Sequence, residues 1–446
     1  MGTDLTKGDI MTHVRQIAIP ASVGLFFNTL YNVVDTFYAG RLSTDALAGM
    51  TISFPIFFIV IALSTGVGSG TTALSAISLG EKDVNNFHKL GINAIITSIV
   101  ISLLVFIGAP FLTEFLFELS GAIGQAKILG IDYTNMIFMG ALFFVLNSTI
   151  NGMLNATGDT KSYRNFLIIG FFMNLILDPL FIFGWFGLPE LGTAGVALAT
   201  VVVQAVGTMY LSYCLINNAV FELKIFKKSS LSFKTVGQIL KQGIPSSLNM
   251  ATIAIGVFVI NYFVLLYASG ASTIAAYGAA MRLEQMTLLP ALGLNIAALT
   301  ITGQNFGAGL YERIYEVQRK TIIVGGLMMV VGGIIIFIFT PFLISIFNND
   351  PLVIEAGTSY LRIEVFALPT YIILNILISV LQGVKKPTFA VYVGLYRQIL
   401  LPFILFPLFG GLYGINGVWY SIVFINWSAL FFTYVYSKVT LKKVFN

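Results

Sequence analysis

Residues 90–112 read LGINAIITSIVISLLVFIGAPFL, an apolar run without a charged residue. A helix needs about 20 such residues to cross the hydrocarbon core of a bilayer. Similar runs recur about twelve times along the chain, separated by loops that carry charge, glycine or proline. Of the 446 residues, 57% are hydrophobic and 10% are charged, whereas soluble domains carry about 25% charged residues. The sequence therefore predicts an all-α polytopic membrane protein with about twelve transmembrane helices.

The chain also contains an internal repeat. IPAS at 19–22 returns as IPSS at 244–247, LDP at 177–179 returns as LLP at 400–402, and GTAGV at 192–196 returns as GINGV at 414–418. We therefore expect two six-helix lobes, residues 1–216 and 242–446, joined by a lysine-rich cytoplasmic linker at 217–241. An even number of helices in each lobe leaves both lobes in the same orientation. Parallel repeats of this kind are typical of transporters.

Lysine and arginine residues concentrate in alternate loops. The loops after the second, fourth and sixth runs contain Lys82, Lys161 and Lys224 among others, whereas the first and third hold only Arg41 and Lys127. Cytoplasmic loops retain positive charge, so both termini are predicted to be cytoplasmic in a multi-pass protein of the plasma (inner) membrane. Topology explains the net charge of +5 better than nucleic-acid binding does.

Few residues are available for enzyme or metal chemistry. The chain has one cysteine, Cys214, and two histidines, His13 and His88, which lie in polar segments where we expect solvated surface. This set does not provide an ordinary zinc site or a nucleophile with its base. We therefore predict no enzyme activity, no cofactor and no resident metal.

Three carboxyl groups lie well inside apolar runs: those of Asp35, Asp178 and Glu284. A charged side chain at the centre of a bilayer costs roughly 2.5–3.5 kcal/mol on insertion scales, so each of them needs an explanation. Asp132 and Glu364 lie nearer the ends of their runs, where headgroup water is the expected surrounding.

Asp35 and Asp178 fall in the outer halves of the first and fifth spans, so they can share one aqueous cavity. Asn174 precedes Asp178 by four residues and lies on the same helix face. Pro179 lacks an N–H group and leaves the Leu175 carbonyl without its usual donor. Such a set can take up a proton, or it can transiently hold a monovalent cation such as Na⁺, and the sequence does not choose between the two.

The repeat does not duplicate this acid pair. Residues 260–261, isoleucine and asparagine, stand where Asp35 would recur, and Leu401 stands at the counterpart of Asp178. A purely structural role should have survived in both halves, so we favour a function confined to the N-terminal lobe. The alternative is that each aspartate is a hydrogen-bonded clamp between helices.

Two further features bear on mechanism. Pro20 removes one backbone hydrogen bond from the helix that carries Asp35, so this helix can bend there when its charge changes; a static kink is the alternative. In the C-terminal lobe, Glu284 could pair with Arg397, either as a structural contact or as a contributor to coupling.

Several motifs together resemble the multidrug and toxic compound extrusion (MATE) family. They are DTFYAGRL at 35–42, NGML at 151–154 followed by GDTK at 158–161, LDPLFIFG at 177–184 and RLEQ at 282–285. The match is closest to the prokaryotic branch named for a DNA-damage-inducible protein. The resemblance implies two lobes around a central cavity, and export of amphipathic, often cationic drugs in exchange for H⁺ or Na⁺. It also implies that helix 1 bends at Pro20. The cation-binding residues that it implies are Asp35, Asn174, Asp178, Asn151 and Thr200.

The leading hypothesis is therefore a monomeric, cation-coupled drug antiporter that works by alternating access and whose other partner is the lipid bilayer. The nearest alternative is a flippase for a lipid or a lipid-linked saccharide. A flippase needs basic side chains to bind phosphate, and only Arg282, Arg362 and Arg397 lie within the spans.

Overall fold

The computed structural model describes residues 3–268 and 270–445, except for the side chain of Lys227. The N-terminal half contains α1 (Ile10–Leu42), α2 (Thr44–Gly80), α3 (Val84–Leu119), α4 (Gly124–Met139), α5 (Ala141–Ala156), α6 (Lys161–Ile182) and α7 (Thr193–Ile216). A short helix, α8 (Leu223–Lys228), lies in the predicted linker. The described part of this half contains no β-strand.

The C-terminal half repeats this order. It contains α9 (Phe233–Tyr267), α10 (Ala271–Gly307), α11 (Tyr311–Ser345), α12 (Pro351–Glu364), α13 (Leu368–Gly383), α14 (Phe389–Leu395), a π-helical turn (Tyr396–Leu400), α15 (Leu401–Tyr413) and α16 (Ile415–Phe445). The predicted fold class, all-helical and polytopic, is confirmed.

Twelve spans result when two bent helix pairs are each counted as one. Within residues 3–268 and 270–445, ten helices are long and apolar enough to cross a membrane alone. The α4–α5 pair bends by 47° and the α12–α13 pair by 45°. Each pair is the fourth span of its half. The repeat therefore includes a break in the middle of this span, which the apolar pattern does not indicate.

The helices form two compact units that exchange a segment. The N-terminal unit comprises the residues up to Lys7 together with Val23–Ser247, and the C-terminal unit comprises Gly8–Ser22 together with the residues from Leu248 onward. The first part of α1 therefore packs in the C-terminal unit, and the first part of α9 packs in the N-terminal unit. Both changes fall two residues after a proline, at the positions that the repeat relates to each other. The lobe limits 1–216 and 242–446 stay a prediction about the repeat.

Glycines allow α2 to pack closely in the N-terminal unit. A Cβ atom on Gly68 would lie 2.2 Å from Ser148 Oγ, and one on Gly152 would lie 2.6 Å from the Gly68 carbonyl oxygen. A larger residue at either position would push α2 and α5 apart. The glycine-rich stretch at 66–70 is therefore a packing surface, as its composition predicts.

The expectation that the histidines are solvated is wrong. His88 has no exposed surface and His13 is buried. His88 Nδ1 lies 2.6 Å from the Val84 carbonyl oxygen, and His88 Nε2 accepts the Glu222 N–H at 2.7 Å. A carbonyl can only accept and an N–H can only donate, so the ring is neutral with its proton on Nδ1. His88 thereby fixes the start of the α8 segment to α3.

Candidate functional site

Asp35 lies on the buried face of α1. Its side chain is 4% exposed, and its Oδ2 atom is 3.3 Å from Thr200 Oγ1 on α7. The same hydroxyl is 3.2 Å from the Val196 carbonyl oxygen. Since one hydroxyl has one proton to donate, Thr200 can donate to the carboxylate or to its own helix, but not fully to both.

Asp178 lies on α6 and is completely buried together with Asn174. Asn174 Nδ2 donates to Asp178 Oδ1 at 3.0 Å. The two residues are one helical turn apart, so the prediction that they share a face is confirmed. The amide leaves the second carboxylate oxygen of Asp178 free.

The fold brings these side chains into one cluster. The Asp35 carboxyl group interacts directly with Asn174 and with Asp178. Asp35 Oδ1, Asp178 Oδ2 and Asn174 Oδ1 are buried and have no hydrogen-bond donor among the described residues. We call Asp35, Asp178, Asn174 and Thr200 the acid-pair site.

No basic side chain in the described part of the chain forms an ion pair with the acid-pair site. The ion pairs in the described ranges involve Asp4, Asp9, Glu118 and Glu316, none of which belongs to the site. Two adjacent carboxylates without water or a counter-ion would repel each other strongly. A proton or a small cation relieves that repulsion, and the unpartnered oxygens are the type of atom that receives it.

The carbonyl that Pro179 leaves free has found a donor. Tyr38 Oη on α1 lies 3.3 Å from the Leu175 carbonyl oxygen on α6. The sequence predicts that this carbonyl is a cation ligand or a water site, whereas in the structure it accepts a hydrogen bond that joins α1 to α6.

Asn151 forms no hydrogen bond to the acid-pair site among the described residues, and its role as a cation ligand stays a prediction. Its Oδ1 atom is buried, and it has no hydrogen-bond partner among the described residues. Tyr31, which is not among the predicted site residues, lies beside Asp35 and Thr200 with its hydroxyl buried. The sequence does indicate Tyr31 by its spacing: it precedes Asp35 by four residues, which puts both side chains on one face of α1.

The C-terminal unit contains a second group of buried carboxyls, which corrects one expectation. Glu364 is 1% exposed and accepts the Tyr371 hydroxyl at 2.7 Å, so it does not face headgroup water. Glu284 accepts the Tyr360 hydroxyl at 3.1 Å. We call Glu284, Glu364, Tyr360, Tyr371 and Arg397 the glutamate cluster.

Arg397 contacts the rest of the glutamate cluster by lying over the ring of Tyr371. Its guanidinium carbon lies 5.3 Å from the centre of the Tyr371 ring, and it interacts electrostatically with both glutamates. Among the described residues it forms no ion pair with Glu284. The predicted Glu284–Arg397 contact is therefore indirect. Arg397 belongs to the π-helical turn and borders a cavity of about 60 Å³ with Tyr371 and Asn426.

Comparison with known proteins agrees with the repeat. The family profile MatE matches residues 20–180 and again residues 245–408. The chain is 28% identical to "Probable multidrug resistance protein NorM" of Thermotoga maritima, covering 78% of this chain and 74% of the relative. It is 24% identical to "Multidrug export protein MepA" of Staphylococcus aureus, covering 94% and 91%, and 27% identical to a "FAD transporter" of Shewanella oneidensis, covering 90% and 88%.

Solved structures show the same architecture. A MOP superfamily transporter from Pyrococcus furiosus matches with a TM-score of 0.91 at 25% identity, over 100% of this chain and 99% of that one. A MATE protein crystallised in complex with MaL6 also gives a TM-score of 0.91 at 25% identity, over 99% of each chain.

Proposed function

The chain belongs to the MatE family, and we propose that it is an antiporter that exports amphipathic, often cationic compounds in exchange for H⁺ or Na⁺. The observation that carries the coupling proposal is the pair Asp35 and Asp178, which lie buried side by side and have, among the described residues, no counter-ion and an unpartnered oxygen atom each. Such a pair needs a cation to be stable, so it can load and release one during transport.

The acid-pair site has the ligand chemistry for either coupling ion. A proton would be shared between the carboxyl groups. Na⁺ would use carboxylate and amide oxygens, which hard cations prefer as ligands. Inward movement of one charge supplies about 2.3 kcal/mol per 100 mV, enough for more than about a tenfold gradient of a neutral cargo.

Bending of α1 at Pro20 would connect cation binding to transport. The proline removes one backbone hydrogen bond from the helix that carries Asp35. The chain changes packing unit between Ser22 and Val23, immediately beyond this weak point. A bend here can therefore move the part of α1 that carries the carboxyl relative to the part that precedes the proline.

The remaining assignments follow the same proposal. We place both termini in the cytoplasm and the protein, as a monomer, in the plasma (inner) membrane, because the positive loops lie on one side of the predicted topology. The relatives described as multidrug proteins support small amphipathic molecules as cargo. Asn151 completes the proposed cation ligands, whereas Glu284 and Arg397 are proposed to contribute as a structural contact of the C-terminal unit and not as cation ligands. We propose no enzymatic activity.

The test uses purified protein in lipid vesicles with a fluorescent organic cation as cargo. A pH gradient and a Na⁺ gradient are imposed separately, and dye movement is recorded for each. We expect one or both gradients to drive dye transport. We expect Asp35→Asn and Asp178→Asn to reduce it to the level of protein-free vesicles while the purified variants stay folded.

Asp132→Asn is the matched control, because Asp132 is an exposed carboxyl on α4, and this variant should transport normally. Gradient-driven transport by either Asp35→Asn or Asp178→Asn would refute the assigned coupling site. Movement of a labelled phospholipid without any ion gradient, combined with no dye transport, would favour the flippase alternative.

A further inference from the structure

Helices α1 and α6 meet through a carbonyl that an ordinary helix would not offer. In α6 the residue at 179 is proline, so the Leu175 carbonyl lacks the N–H that position 179 would ordinarily donate to it. The Tyr38 hydroxyl reaches this oxygen from α1 at 3.3 Å. The missing intrahelical bond is thus replaced by a bond between the two helices that carry the aspartates.

The Tyr38–Leu175 contact lies close to the acid pair on both helices. Tyr38 follows Asp35 by three residues, so both project from one side of α1. Leu175 lies between Asn174 and Asp178 in the same turn of α6. A displacement of one turn against the other would therefore change the Tyr38–Leu175 distance and the distance between the carboxyl groups together.

The two parts of the Tyr38 side chain have separate roles. Its ring packs against the buried cluster that includes Ile56, Ile182 and Val196, and its hydroxyl makes the contact with Leu175. Replacement by phenylalanine would keep the ring and remove only the donor. The hydroxyl can therefore be tested apart from the packing.

We propose that Tyr38 is a positioning residue for the acid pair, acting through the carbonyl that Pro179 leaves free. When the pair is without its cation, repulsion between the carboxylates pushes α1 away from α6. The Tyr38–Leu175 bond opposes that separation and keeps Asp35 and Asp178 close enough to bind the next cation together. The inference rests on the proposed function, since it takes the acid pair to be the coupling site.

A double-mutant cycle tests whether Tyr38 matters for transport and whether it acts through the Leu175 carbonyl. Tyr38→Phe removes the hydroxyl donor, and Pro179→Ala supplies a backbone N–H that can donate to the Leu175 carbonyl within α6. In the background with Pro179, we expect Tyr38→Phe to lower gradient-driven dye transport about fivefold, which corresponds to about 1 kcal/mol. In the Pro179→Ala background, where the carbonyl no longer needs Tyr38, the same change should cost less than about twofold.

The control is Tyr213→Phe, which removes a hydroxyl from an exposed tyrosine of α7 and should not alter transport. Equal losses on Tyr38→Phe in both backgrounds would overturn the inference, because the hydroxyl would then act on something other than the Leu175 carbonyl. Unchanged transport by Tyr38→Phe would also overturn it.

Thermal unfolding of the same four proteins covers the case in which Pro179→Ala is inactive. The Tm loss caused by Tyr38→Phe should be smaller with alanine at 179 than with proline, and additive losses would overturn the contact. Failure of the proposed function gives a different result. In that case Asp35→Asn and Asp178→Asn would transport normally, whereas failure of this inference alone leaves both aspartate variants inactive and the tyrosine cycle additive.

Discussion

The two units solve the problem of buried carboxyl groups in different ways. In the N-terminal unit, Asp35 and Asp178 contact each other, and their other partners are neutral. In the C-terminal unit, Glu284 and Glu364 each accept a bond from a different tyrosine, and Arg397 lies on the ring of one of these tyrosines. Among the described residues, the first arrangement contains no positively charged side chain, whereas the second contains Arg397.

This difference suits the two groups of carboxyls to different roles: cation exchange for the acid pair and a structural role for the glutamate cluster. A carboxyl pair with no resident counter-ion must obtain its positive charge from outside the protein, and that charge can leave again. A cluster with its own guanidinium is partly balanced without any mobile ion. The repeat therefore supplies the same helices twice, and under the proposed function the location of the positive charge would decide which unit exchanges cations.

Removal of carboxyl groups in both units gives the largest expected contrast. Glu284→Gln and Glu364→Gln should keep gradient-driven transport within about threefold of wild type, because the glutamine amide oxygen can still accept the tyrosine hydroxyl and no cation ligand is lost. Asp35→Asn and Asp178→Asn, measured in the same vesicles, should be inactive. If the glutamate variants are as inactive as the aspartate variants, both units participate in coupling and the comparison breaks.

The stability of Arg397→Gln tests whether the positive charge balances the carboxyls of the glutamate cluster. It removes the positive charge near two buried carboxyls and should destabilise the protein by about 2 kcal/mol; direct buried pairs lose about 3–5 kcal/mol, and here the guanidinium contacts a ring instead. We expect Arg397→Gln to lower the Tm in detergent, and Glu364→Gln to recover part of that loss when added to it. Purely additive Tm losses would show that Arg397 does not balance Glu364.

The smallest effect is expected from a carboxyl outside the spans. The Thr12 backbone N–H and the Lys320 ammonium lower the pKa of Asp9 to about 2. A lowered folded-state pKa stabilises the fold above the unfolded-state value of about 3.9, and this contribution disappears as the pH falls through the folded-state pKa.

Asp9→Asn should therefore lower the Tm by about 1 °C at pH 7, because the carboxylate is exposed to solvent. The difference from wild type should shrink steadily between pH 5 and pH 3. A difference that grows on acidification would mean that Asp9 is held by something other than these two donors.

Local relations in the site could be predicted from spacing alone. Asn174 and Asp178 share a face because they are one helical turn apart, and Pro179 frees the Leu175 carbonyl because proline has no N–H. The partners of these groups could not be predicted. That Tyr38 reaches Leu175 depends on how α1 packs on α6, which no spacing within one helix determines.

The errors have a related cause. The position of Glu364 near the end of an apolar run predicts headgroup water around it, but α12 ends at Glu364 and the span bends there. His88 was expected on the surface because its neighbours in sequence are polar. It is buried because the segment around Glu222 folds back over it, a contact between residues far apart in the chain.

The exchange of segments between the units determines whether the two halves of the chain can fold as separate fragments. A fragment ending at residue 216 would keep all of α1, yet the packing partners of Gly8–Ser22 lie among residues that begin at Leu248. The complementary fragment would similarly carry the first part of α9 away from its own neighbours. Two separately synthesised halves would each present an uncovered helical surface, so they should be recovered intact only when both are made in the same membrane.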